Sequence, residues 1–157
     1  MANNITGLGI GSEQPITRSE DYARELETAM SDILHDNKFL VHELGEADVN
    51  VTVHKEGQNV VFCVQIADEQ SAQESVNIYM PTKPLRSLMK DYFLMVESYQ
   101  QAIKSHDTRK IEAVDMGRRG MHNEGAEMIT DMLEDKVKID FNTARRLFTL
   151  VAILHMK

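Results

Sequence analysis

From Val49 to Met80 the hydrophobic residues recur every second position, and on both sides of that stretch they recur at helical spacing. Such a switch confines the chain to a sheet bordered by helices, an α+β layout. Val49, Val51 and Val53 alternate with Asn50, Thr52 and His54, the pattern of a half-buried strand. Glu56-Gly57 turns the chain, and Val60, Phe62, Val64 and Ile66 supply the inward face of the return strand. Val76, Ile78 and Met80 follow as a third strand after a polar loop at 68–74. Connections this short predict an antiparallel meander.

Ahead of the sheet, Ser19 reads as an N-cap, and Glu20 and Asp21 suit the positive end of a helix dipole. Tyr22, Leu26, Ala29, Met30, Ile33 and Leu34 then predict an amphipathic helix over 20–36 with an acidic, solvated outer face. Residues 1–17 contain Gly7, Gly9 and Gly11 and end at Pro15, which reads as a loop, a weak edge strand at Ile5 to Ile10, or a loosely packed N-terminus. The Gly-x-Gly-x-Gly spacing there is not a dinucleotide fingerprint, since no clear strand precedes it and no third glycine sits at the right offset before a helix.

After the sheet come Pro81 and Pro84, the second suited to a first helical position. Leu85, Leu88, Tyr92, Met95, Val96, Tyr99 and Ile103 make the stripe of a helix over 84–104, its tyrosines reading as core rather than as a base-stacking platform. Asp107 or Thr108 caps a third helix that begins with Ile111 and Val114 and resumes at Met128, Ile129, Met132 and Leu133. A polar bridge from Glu134 to Lys138 leads to Asp140, a further N-cap. The last helix, 141–155, is apolar nearly all round and is expected at the centre. The expected fold is therefore a single α+β domain over 1–157. An N-terminal helix, a small antiparallel sheet of three or four strands and three C-terminal helices make it up, with the last helix central.

Composition removes several functions. The net charge of −8 argues against a protein built to coat nucleic acid. The longest apolar run, Leu150 to Leu154, is far short of the roughly 20 residues that span a bilayer, and the N-terminus lacks a signal peptide's basic start and apolar core. Cys63 is the one cysteine, so no internal disulfide forms and a cytoplasmic setting is expected. Its surroundings lack the positive charge that activates a thiol, which makes it a bystander.

The densest chemistry lies in Asp115-Met116-Gly117-Arg118-Arg119-Gly120-Met121-His122-Asn123-Glu124-Gly125. On one continuous helix, Arg118 and Gly125 fall in the middle of the face made by Ile111, Val114, Met121, Met128, Ile129 and Met132. Asp115, Arg119 and His122 line its edge. An arginine so placed needs a partner, because an unpaired buried charge is very costly. Alternatively, the glycines break the helix near Gly117–Gly120, which voids that geometry. Arg118 and Arg119, with Arg145 and Arg146 near the start of the last helix, suit phosphate or carboxylate, and free helix N–H groups would add to the attraction. The structural alternative, which is favoured, is interhelical pairing with Asp91, Glu97 or Asp115. His122 with Asp115 or Glu124 is an acid/base candidate, though a hydrogen-bonded structural histidine is the preferred reading. Asn123 and Glu124 complete the candidate ligand set. The i, i+2 spacing of His122 and Glu124 disfavours a metal. Neither a His-Glu-x-x-His pattern nor paired cysteines are present, and no cofactor is expected.

Several segments also resemble a known family. They are Lys90-Asp91-Tyr92-Phe93, Glu97-Ser98-Tyr99 with Ala102-Ile103, Ile111 through Gly120, His122-Asn123-Glu124-Gly125, and Asp140 through Leu150. Together these are similar to an alphaproteobacterial family of small cytoplasmic proteins that carries the label of uncharacterised protein family. The likeness is specific over about 84–155 and weaker over 1–80, where the glycine content is higher than in the family. It implies a single cytoplasmic domain and brings no activity, cofactor or substrate.

By exclusion, the expected function is a non-enzymatic cytoplasmic binding or regulatory domain that acts through a protein partner. The alternative is binding of a small anionic or phosphorylated ligand at the arginine cluster. A third reading adds acid/base catalysis by His122.

Overall fold

A computed structural model describes residues 3–11, 20–68 and 75–155. Its elements run β1 (Ile5–Ile10), α1 (Glu20–His35), β2 (Phe39–Val41), β3 (Val49–Glu56), β4 (Asn59–Ile66) and β5 (Ser75–Pro81). A 3-10 turn (Lys83–Leu85) then leads to α2 (Arg86–Ser105), α3 (Thr108–Leu133), β6 (Val137–Ile139) and α4 (Phe141–His155). The fold is α+β, as the change of period requires. Pro15, the Ser19 cap and residues 69–74 of the polar loop lie outside the described residues.

The larger sheet has the order β1-β3-β4-β5. β3, β4 and β5 form the antiparallel meander, with Val53 and Ile78 flanking Phe62. Gly57 closes the β3–β4 turn at φ 61°, a left-handed conformation that glycine adopts without strain. β1 changes the sheet's character. It pairs parallel to β3, so the sheet is mixed and not wholly antiparallel. Parallel neighbours need a crossover of a dozen or more residues, and α1 lies on that crossover. The glycines that obscure β1 in the sequence have a physical reason at Gly7. A Cβ there would sit 2.5 Å from Asn50 Oδ1, so the glycine admits the asparagine side chain beside the strand.

A second sheet joins β2 and β6 antiparallel, Phe39 opposite Ile139 and Val41 opposite Val137. The stretch from Glu134 to Lys138 is thus not a plain polar bridge, since β6 begins inside it.

A buried pair of asparagines ties β1, the end of α1 and β2 together. Asn37 Oδ1 accepts from the Asn4 and Ile5 amides, and Asn37 Nδ2 donates to the Ile5 and Ile33 carbonyls. Asn4 receives the Phe39 amide at 2.7 Å and donates back to the Phe39 carbonyl, the exchange a neighbouring strand would make. Buried amides seldom go unpaired, and these two side chains supply the partners where no strand does.

α4 packs between α1 and α3, and α2 packs on α3. From Thr143 to Leu154 every residue of α4 is buried except Arg145 and Arg146. The last helix is therefore central, and within that span its two half-buried positions are the two arginines. One apolar cluster joins Val51, Val53, Phe62, Ile78 and Met80 of the sheet to Tyr92, Ile129, Leu147, Phe148 and Val151 of the helices.

α3 is a single helix of 26 residues, unbroken at Gly117 and Gly120. Asp107 caps it, accepting from the Arg109 and Lys110 amides at 3.0 and 3.3 Å. Two of its glycines permit close packing. A Cβ at Gly125 would meet the Phe148 ring at 2.5 Å, and one at Gly117 would meet the Met95 methyl at the same distance. Among the described residues no helix is long and apolar enough to cross a membrane.

Candidate functional site

Because α3 does not break, the placement of Arg118 and Gly125 on one inward face of a continuous helix is realised: Arg118 reaches α1 and Gly125 packs on α4. A cavity of about 310 Å³ lies between these three helices. From α1 it is lined by Glu25, Thr28, Ala29 and Asp32; from α3 by Asp115, Arg118, Arg119 and His122; from α4 by Asn142, Arg145, Arg146 and Thr149. The two arginine pairs, 26 or more positions apart in sequence, thus converge on one space. Asn123 and Glu124 do not join them; both are exposed and outside the cavity wall.

The four guanidiniums stand in four different situations. Arg118 Nη2 donates to Glu25 Oε2 at 2.6 Å, with the two side chains only 23% and 15% exposed. Its guanidinium carbon also lies 5.6 Å from the centre of the Tyr99 ring, within cation–π range. Its carboxylate partner is thus on α1, not among Asp91, Glu97 and Asp115. Arg119 pairs with Asp115 at 3.1 Å, a helical i, i+4 pair that is 71% and 41% exposed and therefore weak. Arg146 donates through Nη1 to the Asp32 and Asp36 carbonyls at 3.2 and 2.9 Å, at the end of α1. Arg145 has no ion pair among the described residues, and its buried Nε has no hydrogen-bond partner there.

Arg145 and Arg146 also sit a full turn into α4 rather than at its free amides. Asp140 accepts from the Thr143 amide at 3.3 Å, so the expected help from open helix N–H groups is reduced. Asp140 is the cap that the sequence indicates.

His122 is buried, 9% exposed, and both ring nitrogens are engaged. Nδ1 lies 2.9 Å from the Arg118 carbonyl, an acceptor only, so Nδ1 carries the proton. Nε2 then accepts from the Thr149 hydroxyl at 2.9 Å. The ring meets Tyr92 and Phe148 edge-on, with centroids 5.6 and 5.9 Å away. Burial, and next the Arg118 charge, lower its pKa from 6.5 to about 4, with Arg145 adding to the drop. At neutral pH it is a neutral imidazole clamped between α3 and α4. Neither Asp115 nor Glu124 orients it. The nearby Tyr92 hydroxyl is buried beside Thr149 without a formed hydrogen bond, and burial raises its pKa.

Elsewhere, Cys63 is half-buried with Sγ 3.9 Å from His54 Nδ1. Burial, then the Glu56 charge, push its thiol pKa up, the opposite of activation. Among the described residues no group of three or more His, Cys, Asp or Glu side chains is placed to hold a metal ion.

Sequence reasoning missed six lining residues, Glu25, Thr28, Ala29, Asp32, Asn142 and Thr149. The signal for Glu25 was present. It follows Tyr22 by three and precedes Ala29 by four, which places it on the buried stripe of α1, not on the solvated acidic face.

Comparison with known proteins places the chain. A relative from Azorhizobium caulinodans is 42% identical over 138 residues, covering 87% of this chain and 84% of the relative. One from Mesorhizobium japonicum is 40% identical over 152 residues (96% and 92%). One from Caulobacter vibrioides is 37% identical over 155 residues (99% and 94%). No solved structure gives a significant match. All three relatives bear one family label, and the model of that same family matches residues 2–157 here: the chain belongs to the uncharacterised protein family UPF0262.

Proposed function

We propose that the protein is a cytoplasmic, non-enzymatic binding domain whose ligand is a small anion held in the cavity between α1, α3 and α4. The observation that carries this reading is Arg145, a permanent cation facing a cavity with its buried Nε unpartnered among the described residues. A buried donor without an acceptor costs about 1–3 kcal/mol, and an oxyanion supplies the acceptor. The other three arginines raise the local potential, although the chain as a whole is acidic. A binding role is preferred to a catalytic one because His122, the acid/base candidate, has both nitrogens occupied within the protein.

A thermal-shift titration with inorganic phosphate, sulfate and citrate tests it. Binding raises the melting temperature in the wild type and not in Arg145→Gln, since a ligand at 100 times its dissociation constant adds about 2.7 kcal/mol. Equal responses from the two proteins, or none from either, would sink the reading.

A protein-partner surface is the second reading, supported by Met116, 72% exposed in the middle of α3. Exposed thioethers adapt to partners. A partner retained by the wild type and released by Met116→Glu is the expected result, and retention by both rules that surface out.

A further inference from the structure

The anion site contains an anion of its own, and this deepens the reading on which it rests. Glu25 reaches from α1 across to Arg118 and meets it through a single hydrogen bond of 2.6 Å. That is an end-on contact, not the two-point fork by which arginine holds a carboxylate most firmly. Glu25, Arg118 and Arg145 line the same cavity. Both guanidiniums also act on the His122 ring, which lines the same cavity, so their fields overlap.

The charges in the wall set what can enter. Four arginines face Glu25, Asp32 and Asp115, and His122 is neutral, leaving one positive charge in excess. That suits a monoanion at Arg145. Withdrawing Glu25 toward solvent leaves an excess of two, which suits a dianion, and a glutamate side chain can swing without any shift of α1. The cavity of about 310 Å³ equals the liquid volume of about ten waters. A sulfate, a phosphate head or a short dicarboxylate fits within it.

We infer that Glu25 is a built-in competitor: its carboxylate occupies Arg118, and a doubly charged oxyanion displaces it to bridge Arg118 and Arg145. Glu25 thereby sets both the threshold for binding and the preference among anions. A monoanion does not repay the loss of the Glu25–Arg118 bond and stays at Arg145. A dianion replaces that bond and gains a second guanidinium.

Titration calorimetry with sulfate, succinate and formate tests the competitor. In Glu25→Gln, sulfate or succinate tightens by about tenfold or more, the worth of one charge-assisted hydrogen bond. Formate tightens by less than about threefold, the effect of one screened charge nearby. A gain for sulfate alone assigns a phosphate-type head, and a gain for succinate alone assigns a dicarboxylate. In the Glu25→Gln, Arg118→Gln double variant the gain disappears. A gain that persists there means that Glu25 acts only by distant charge, and it overturns the competitor. In the wild type, the 13C resonance of the Glu25 carboxylate moves on saturation with the better-binding dianion; a resonance that stays fixed overturns the inference even where the variants do not fold. If Arg145→Gln abolishes dianion binding while Glu25→Gln leaves it unchanged, the competitor falls and the anion site stands. If no anion binds either the wild type or Glu25→Gln, both fall together.

Discussion

The His122 imidazole makes folding stability depend on pH in a way that can be worked out in advance. Below pH 6.5 the unfolded chain takes up a proton at this histidine. The folded protein does not do so until about pH 4, because burial and the Arg118 charge oppose it. Between those values the unfolded state binds more protons, so stability falls as the pH falls and is fully present only above 6.5. At about 1.4 kcal/mol per pH unit, the drop to a pKa of about 4 amounts to about 3 kcal/mol. Urea denaturation at several pH values between 7.5 and 4 measures it, in the wild type and in His122→Gln. Glutamine is neutral throughout and can still pair with Thr149. Carboxylates elsewhere titrate in the same range in both proteins and cancel in the difference. The wild type's advantage over the variant therefore shrinks by about 3 kcal/mol from pH 7.5 to 4. Parallel curves would mean that His122 titrates normally when folded, and that its clamp between the Arg118 carbonyl and Thr149 is not formed.

Three further outcomes follow from the packing. Gly125→Ala pushes a Cβ to 2.5 Å from the Phe148 ring, an overpacking cost of about 1–3 kcal/mol against a helix-propensity gain of about 1, for a net loss of up to about 2 kcal/mol by urea denaturation. Gly120→Ala meets nothing within 4 Å; it adds up to about 1 kcal/mol of stability and so raises the melting temperature. Asn37→Ala strands the Asn4 and Ile5 amides and the Ile33 carbonyl, and lowers unfolding free energy by about 3 kcal/mol in the same assay. Arg119→Ala removes an exposed pair and costs under about 0.5 kcal/mol, whereas Arg118→Ala leaves Glu25 largely buried without its cation and costs about 2 kcal/mol.

What the sequence reveals and what it hides divide along physical lines. The meander and α2 through α4 are legible because each buries one face of a regular element, and a regular element writes its period into the chain. β2 and β6 are hidden because three residues carry no period, and their pairing spans about a hundred positions. β1 is half legible: Ile5 to Ile10 reads as a weak edge strand and is one, and its glycines blur the pattern because Gly7 answers to Asn50 across the sheet, a constraint invisible from its own neighbours. The arginines of the site are visible by residue type, and the inward turn of Arg118 by its place on the wheel. Its carboxylate is not, because helix spacing specifies partners three or four residues away and Glu25 lies 93 away. Asn123 and Glu124 show the reverse failure: proximity in sequence to Arg118 placed them in the candidate set, while the helix turns them to solvent.

The position of the cavity follows from how α1 meets α4. Tyr22, Ala29 and Ile33 give α1 a buried stripe, but the stripe is interrupted by Glu25, and α4 presents Arg145 and Arg146 on the matching side. Two apolar faces would close on each other. Here each face carries charge, so the seam stays open between its apolar contacts and is held at its ends by polar bonds. At one end Arg146 ties α4 to the α1 carbonyls, and at the other Arg118 of α3 ties to Glu25. Of the cations along that seam, Arg146 answers to the backbone, Arg118 and Arg119 to carboxylates, and Arg145 to no described group. The docking of α1 and the occupancy of the cavity are therefore one problem. Any anion that draws on Arg118 must also loosen a bond that fastens α1. Its binding should therefore alter the protection of α1 amides against exchange with solvent, while leaving those of the sheet unchanged.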